Sequence, residues 1–300
     1  QQRYLPDSNA KINHLTVVMP KKSWSGALGE TTRSLLETPY EGLPFDEPQF
    51  SLQYMPPIAF KGFARNSRNV LWFVNDSIGG FQLAEDYMAK PQVVARVMGE
   101  DDDVQAFYLE ENIALFKATL TAAEQKEKIR RIKKSPAKAS ELRERFQVNL
   151  TYPTAYNTVK DTTNFVWIQK DTPKGHMNLI AYTLPVSALQ GNVKKRILAL
   201  RDSIGKAYVP GRLKGSYMIT EKAYRPYFYK TQRKGRLTYI TKGTWEVAND
   251  FMAGPFVNYM IRDTLKNRWM VVEGFSFAPS SSKRDQMFEL NALINAVAFK

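Results

Sequence analysis

The stretch GTWEVANDFMAGPFVNYMIRDTLKNRWMVVEGFSFAPSSSKRDQMFELNALINAVAFK, Gly243 to Lys300, decides the fold. Trp245 and Val247 alternate with polar neighbours, as a half-buried strand requires, and Asn249-Asp250 supplies turn chemistry. Gly254-Pro255 bounds the next strand, Phe256 to Ile261. Asp263 to Asn267 closes a hairpin into a strand from Arg268 to Phe277. Pro279 ends it, Ser280 to Ser282 offers a helix N-cap, and Met287, Leu290, Ile294 and Val297 are spaced to face the sheet from a closing helix. Antiparallel strands followed by a covering helix make an α+β unit.

The same pattern continues upstream. Phe165 to Ile168 and Leu179 to Leu184 form a hairpin around the turn DTPKG, with His176 as a structural residue. Val193, Ile197, Leu200 and Ile204 fall at helical spacing. Lys194, Lys195 and Arg201 are expected on the wet side of that helix, and Gly205 as its C-terminal cap. Phe146, Val148 and Leu150 alternate as a strand. A domain boundary is expected here, giving an N-terminal α+β domain over 1–145 and a C-terminal antiparallel sheet domain over 146–300.

In the first half, Leu15 to Met19, Phe50 to Tyr54, Asn69 to Val74, Phe81 to Leu83 and Val93 to Met98 read as strands, and Gly26 to Glu37 as a helix stopped by Thr38-Pro39. Asp101 to Asp103 open a long helix, where acid complements the dipole. Its apolar face runs to about Leu120. Beyond that, Glu124 to Arg145 is expected to be a solvated helix laced with pairs such as Glu124 and Lys128, broken at Ser135-Pro136.

Composition narrows the chemistry. There is no cysteine, which removes disulfides, thiol catalysis and Cys-ligated zinc, and there are only two histidines, His14 and His176. A histidine-based triad or multi-histidine metal site has almost nothing to use. No cofactor is expected. Of the net charge of +14, +13 lies in residues 151–300, which hold 23 Lys and Arg against 10 Asp and Glu. Within them, Lys206 to Lys242 interleaves cations with tyrosines, a composition suited to anions and stacked rings. Arg212, Lys214, Lys222, Arg225, Tyr227, Tyr229, Arg233, Lys234 and Arg236 are the candidate binding residues. The same stretch also reads as two ordinary strands around the loop RPYFYKTQRKGR.

Several blocks carry a resemblance: RYLPDSNAKINHLTVVM at 3–19, EGLPFDEPQFSL at 41–52, FARNSRNVL at 63–71, FVWI at 165–168, LRDSIGKAYVPG at 200–211, WEVANDFMAGPFVNY from Trp245 and EGFSFAPSSSKRD from Glu273. They resemble the family called domain of unknown function 4837, lipoproteins of Bacteroidota-type bacteria. At fold level, the C-terminal half is also similar to PsbP-like α/β/α sandwiches. The family resemblance brings no activity. It implies a lipid anchor on a cysteine preceding Gln1 and an outer-membrane location, the periplasmic face being favoured because Gln1-Gln2-Arg3 lacks acidic residues.

The function expected is therefore a non-enzymatic binding or assembly factor, whose partner is an envelope protein complex or an anionic glycan or lipid headgroup. The alternative is a glycan-acting hydrolase using two of Glu246, Asp250, Glu273 and Asp285. Against it, Glu246 and Glu273 are expected to pair with Arg262 or Arg268. Nucleic-acid binding through the basic arm stands third.

Overall fold

The computed structural model describes residues 4–137 and 141–299 and divides the chain into two units. The first comprises 1–39 and 47–128; the second takes 40–46 and everything from 129. The expected boundary at 145/146 followed the end of the polar run. It misses that Ile129 and Ile132 carry apolar side chains into the second core, together with Tyr40 and Leu43.

In the first unit the order is β1 (His14–Val18), α1 (Lys21–Ser25), α2 (Ala27–Leu36), β2 (Ser51–Met55), β3 (Asn69–Asn75), β4 (Gly80–Glu85), β5 (Val93–Gly99) and α3 (Asp102–Ile132), whose last turn belongs to the second unit. The sheet runs β2-β1-β3-β5-β4, and all pairings are parallel except that of β4 with β5. Mostly antiparallel pairing holds for the chain as a whole, but not for this sheet. Apolar strands such as LTVV and VVARVM suit parallel pairing, which needs both faces covered. Leu15, Val17, Leu71, Val97, Leu109, Phe116 and Leu120 pack on one face, and Val18, Val70, Val94 and Phe60 on the other.

Glu124 is wholly buried, not on a solvated helix face, and Glu127 is 3% exposed. Glu124 accepts Arg68 Nε at 2.6 Å, Arg68 Nη2 at 3.1 Å and the Asn13 backbone N–H at 2.5 Å. Arg68 also donates to the carbonyls of Ala10 and Lys11. A four-residue spacing identifies which residues share a helix face; it does not say whether that face is wet.

In the second unit come α4 (Glu141–Phe146), β6 (Val148–Asn149), β7 (Asn157–Thr162), β8 (Phe165–Thr172), β9 (Gly175–Pro185), α5 (Val193–Tyr208), β10 (Tyr217–Thr220), β11 (Tyr227–Arg233), β12 (Arg236–Ala248), β13 (Ala253–Asp263), β14 (Arg268–Phe277), α6 (Arg284–Asn295) and β15 (Ala298–Phe299). The sheet runs β10-β12-β13-β14-β9-β8-β7, with β11 on the outer side of β12 and every pair antiparallel. Strand period fixes its two faces. On β13, Val257, Tyr259 and Ile261 meet Met287, Leu290 and Ile294 of α6, while Phe256 and Met260 share the opposite core with Ile197 of α5. The result is an α/β/α sandwich.

Four local expectations change. Phe146 ends a short helix instead of opening a strand. RPYFYKTQRKGR is mainly strand β11, because its alternation matches β12 across seven paired positions. The closing helix has Lys283 as N-cap with no side-chain cap hydrogen bond, so Ser280 to Ser282 do not cap it. Helix α5 runs past Gly205 to Tyr208. Gly205 serves close approach instead: a Cβ there would lie 2.1 Å from the Met218 carbonyl oxygen.

Candidate functional site

The β11–β12 ribbon carries most of the candidate binding residues. Its turn, Lys234-Gly235, has φ of 48° and 74°, the left-handed pair that a two-residue hairpin turn uses. Alternation places Tyr227, Tyr229, Thr231 and Arg233 of β11 opposite Lys242, Ile240, Thr238 and Arg236 of β12, on the α6 side of the sheet. Tyr227 and Tyr229 are 48% and 39% exposed. Lys242 Nζ sits 5.4 Å from the Tyr229 ring centre and 2.8 Å from Glu41 Oε2. Burial, aided by Glu41, pushes the Tyr229 hydroxyl up to about 12.

At the turn end the ribbon meets the chain after α6. Arg233, Lys234, Arg236, Ile261, Val297, Ala298 and Phe299 line an open cleft of about 230 Å³. Arg233 donates to the Asn295 carbonyl at 2.8 Å and lies 4.8 Å from the Tyr259 ring centre; partial burial holds its pKa below the usual range. Lys234 Nζ donates to the Val297 carbonyl at 3.1 Å. Arg236 stacks 4.3 Å from the Phe299 ring centre and reaches Asp263 at 3.5 Å, a carboxylate it shares with Arg268. Two of the three lining cations therefore bond to neutral carbonyls, and the third shares one acid with another arginine. The cleft retains positive charge beside an apolar wall, which suits an anion with some apolar body.

The other candidates lie elsewhere. Lys222 and Arg225 are exposed on the loop that leads into β11, next to Tyr227. Arg212 is bound by Asp250 at 2.8 and 3.2 Å, which draws the Asp250 carboxyl below its ordinary range; Lys214 is exposed on the same loop. This loop sits by Ala248, twelve residues along β12 from Arg236, or roughly 40 Å at strand rise. A single ligand of ordinary size does not touch both ends.

The four acids do not share a partner set. Asp250 belongs to Arg212, and Asp285 pairs with Arg284 at the start of α6. The Glu246 carboxyl is raised by partial burial and by Glu221. Neither Arg262 nor Arg268 serves Glu246 or Glu273: Arg262 donates to the carbonyls of Asp263 and Arg268, and Arg268 binds Asp263. Among the described residues no group of three His, Cys, Asp or Glu could hold a metal ion.

Glu273 has a different partner, which the sequence reading placed in water. Arg201 is 2% exposed and Glu273 wholly buried. Arg201 Nε lies 3.1 Å from both carboxylate oxygens and Nη2 2.8 Å from Oε1. Nη1 donates to Thr220 Oγ1, and the guanidinium lies 3.7 Å from the Phe256 ring centre. Asn258 Nδ2 adds a bond of 2.8 Å to Glu273. The Tyr182 hydroxyl faces Asn258 without a well-formed hydrogen bond, and Thr241 Oγ1 and Asn258 Oδ1 also lack partners; burial pushes Tyr182 strongly up. The signal for Arg201 was present: Ile197, Arg201 and Gly205 fall four residues apart, on the buried stripe of α5. A charge on that stripe demands a buried counter-charge.

The chain belongs to the family described as domain of unknown function DUF4837, whose model matches residues 135–296. Residues 8–133 match a second model of unknown function, DUF8532. No curated protein matches the chain. Among solved structures, the Ran-binding protein Mog1p of Saccharomyces cerevisiae is similar at 8% identity and a TM-score of 0.34, over 51% of this chain and 89% of that one. A mutant of protein Mog1 gives a TM-score of 0.31 at 8% identity, over 51% of this chain and 90% of that one. Likeness at this level supports no inference about ligand or partner.

Proposed function

We propose that the protein is a non-enzymatic binding or assembly factor of the bacterial cell envelope, lipid-anchored at the outer membrane on its periplasmic side. It engages an acidic partner, an envelope protein complex or an anionic glycan or lipid headgroup, through the α6 face of the β11–β12 ribbon. The observation that carries this reading is the cleft in which Arg233, Lys234 and Arg236 converge, where Arg236 alone reaches a carboxylate, Asp263, and shares it with Arg268. The exposed Tyr227 and Tyr229 extend the same face, and Lys222 and Arg225 stand beside it, giving a surface where charge steers and aromatic area holds.

Affinity purification from native membranes tests it, comparing the wild type with an Arg233→Gln, Lys234→Gln, Arg236→Gln variant. The wild type should retrieve a constant acidic partner, released by raised salt because partly exposed charges are screened. The variant should lose it. Recovery of the bare protein, or of the same partner by both forms, overturns the proposal.

A further inference from the structure

The helices of the first unit pack on one face of its sheet: Trp24 of α1, Leu28 and Leu36 of α2, and Leu109 and Phe116 of α3 share a core with strand residues such as Leu71. On the opposite face Val18, Val70 and Val94 are covered by Phe60, Ala64 and Met88, which belong to the connections β2–β3 and β4–β5. Parallel strands need both faces covered, and here the second cover is made of loops. By register, no strand contributes an Asp or Glu to this face, and its only Lys or Arg is Arg96, over the Trp72 ring.

The main covering loop, Pro56 to Arg68 (PPIAFKGFARNSR), also contains no acid. Phe60 anchors it, 3% exposed and edge-on to Trp72 at 5.3 Å. On either side of it in sequence, Ile58 is 82% and Phe63 77% exposed, and Pro57 and Ala59 are exposed with them. Lys61 and Arg65 are exposed too. Arg65 Nε donates to the Phe60 carbonyl at 3.2 Å, and neither cation meets a carboxylate among the described residues.

The outward apolar side chains stand on a fastened loop. Gln92, 2% exposed, donates to the carbonyls of Arg65 and Ser67, each at 2.8 Å, and the Asn9 N–H donates to the Asn66 carbonyl at 2.8 Å. The N–H groups of Ala59, Phe60, Lys61 and Ala64 bond to carbonyls of the loop itself, and Pro56 and Pro57 have none to satisfy. Much of the backbone is thus paired internally, as contact with hydrocarbon requires. Two acids adjoin the base, Asp7 and Asp86; Lys90 lies beside both and pairs with Asp86 at 3.3 Å.

We infer that this face docks on an anionic lipid bilayer, with Ile58 and Phe63 entering the interface and Lys61 and Arg65 at the level of the headgroup phosphates. A few protruding side chains bury at most a few hundred Å², short of the roughly 800 Å² per partner of a stable protein interface. A bilayer asks for no matching shape: apolar groups sink about 5–10 Å to the acyl boundary. Cations on a face whose strands and covering loop carry no acid suit negative headgroups. The inference depends neither on the ribbon of the second unit nor on a lipid anchor.

The chain has no cysteine, so one introduced at Ile58 carries a single polarity-sensitive dye. With protein-free vesicles of phosphatidylcholine and phosphatidylglycerol, the dye on full-length Ile58→Cys should brighten and be quenched by spin labels in the acyl chains. The same dye on Glu110→Cys, an exposed position of α3 on the other side of the sheet, should not respond. Titrated by the dye at position 58, Phe63→Ser should bind vesicles about tenfold less tightly, as the loss of one buried aromatic side chain implies. Lys61→Gln should bind about fivefold less tightly, and only when phosphatidylglycerol is present. Both positions are exposed, so the denaturant midpoint should stay at the wild-type value. No response at position 58, an equal response at position 110, or unchanged affinity in Phe63→Ser overturns the inference. A response to native membranes but not to protein-free vesicles overturns it too, and makes the occupant a protein.

Discussion

Arg68–Glu124 in the first unit and Arg201–Glu273 in the second are both buried arginine–glutamate pairs, and the two are built differently. Arg68–Glu124 is wrapped by backbone: the Asn13 N–H donates to the carboxylate, and the carbonyls of Ala10 and Lys11 accept from the guanidinium. Arg201–Glu273 is wrapped by side chains, with Thr220, Asn258 and the Phe256 ring around it and Tyr182 and Thr241 nearby unpartnered. The first pair holds chain segments in place at the amino ends of parallel strands. The second joins a helix to a strand that antiparallel neighbours already hold on both sides. A buried ion pair is thus a fastening in the first unit and an alignment device in the second.

The largest expected effect is common to both. Arg201→Leu or Arg68→Leu leaves an uncompensated buried carboxylate and should cost about 3–5 kcal/mol in urea unfolding. A loss below about 1 kcal/mol in either would break the comparison at its root.

Replacing both partners should separate them. Arg201→Met with Glu273→Leu removes both charges and leaves mainly Asn258 to re-pair, so its cost should fall well below that of either single change. Arg68→Met with Glu124→Leu still strands the Asn13 backbone N–H, at about 1–3 kcal/mol for a buried group left unsatisfied, while the Lys11 carbonyl keeps the His14 N–H. The first-unit double variant should therefore be the less stable by about 2 kcal/mol, and hydrogen exchange should show the Asn13 amide exposed. Equal costs would remove the distinction.

The smallest effect concerns the edge of the second network. Trp167 Nε1 donates to Asn178 Oδ1, which turns Asn178 Nδ2 toward His176 Nδ1 at 2.8 Å. The ring nitrogen must then accept, so the neutral imidazole is the bound form. Burial lowers the His176 pKa, with Asp171 opposing. The unfolded chain takes up this proton first, so the contribution to stability is whole above an ordinary histidine pKa of about 6.5 and is lost as pH falls through that value. His176→Asn should flatten the pH dependence of unfolding between about pH 5 and 7. An unchanged slope would show that the ring titrates alike in both states.

Much of the candidate site was legible. The run from Lys206 to Lys242 is conspicuous in charge and tyrosine content, and alternation alone sets Tyr227, Tyr229 and Arg233 on one face of a strand. What could not be read was that Val297 to Phe299 return to close a cleft against Arg233 and Arg236, while Arg212 is removed to the far end of β12 and neutralised by Asp250. Contacts of that kind join residues tens of positions apart, and no local pattern encodes them.

By itself the sequence determined the strands, the helices and the α+β class, because side-chain period and turn chemistry act over a few residues. It also placed the net charge in the second half. Only the tertiary structure decided which charges are dry. Arg201 shares a helix stripe with Ile197 and Gly205 and Glu124 sits in a charged run, but neither local pattern names the counter-charge, Glu273 or Arg68, 72 and 56 positions away. Pairing partners are chosen by packing across the whole chain, and that choice made a mainly parallel sheet of the strands in the first unit and an antiparallel one of those in the second.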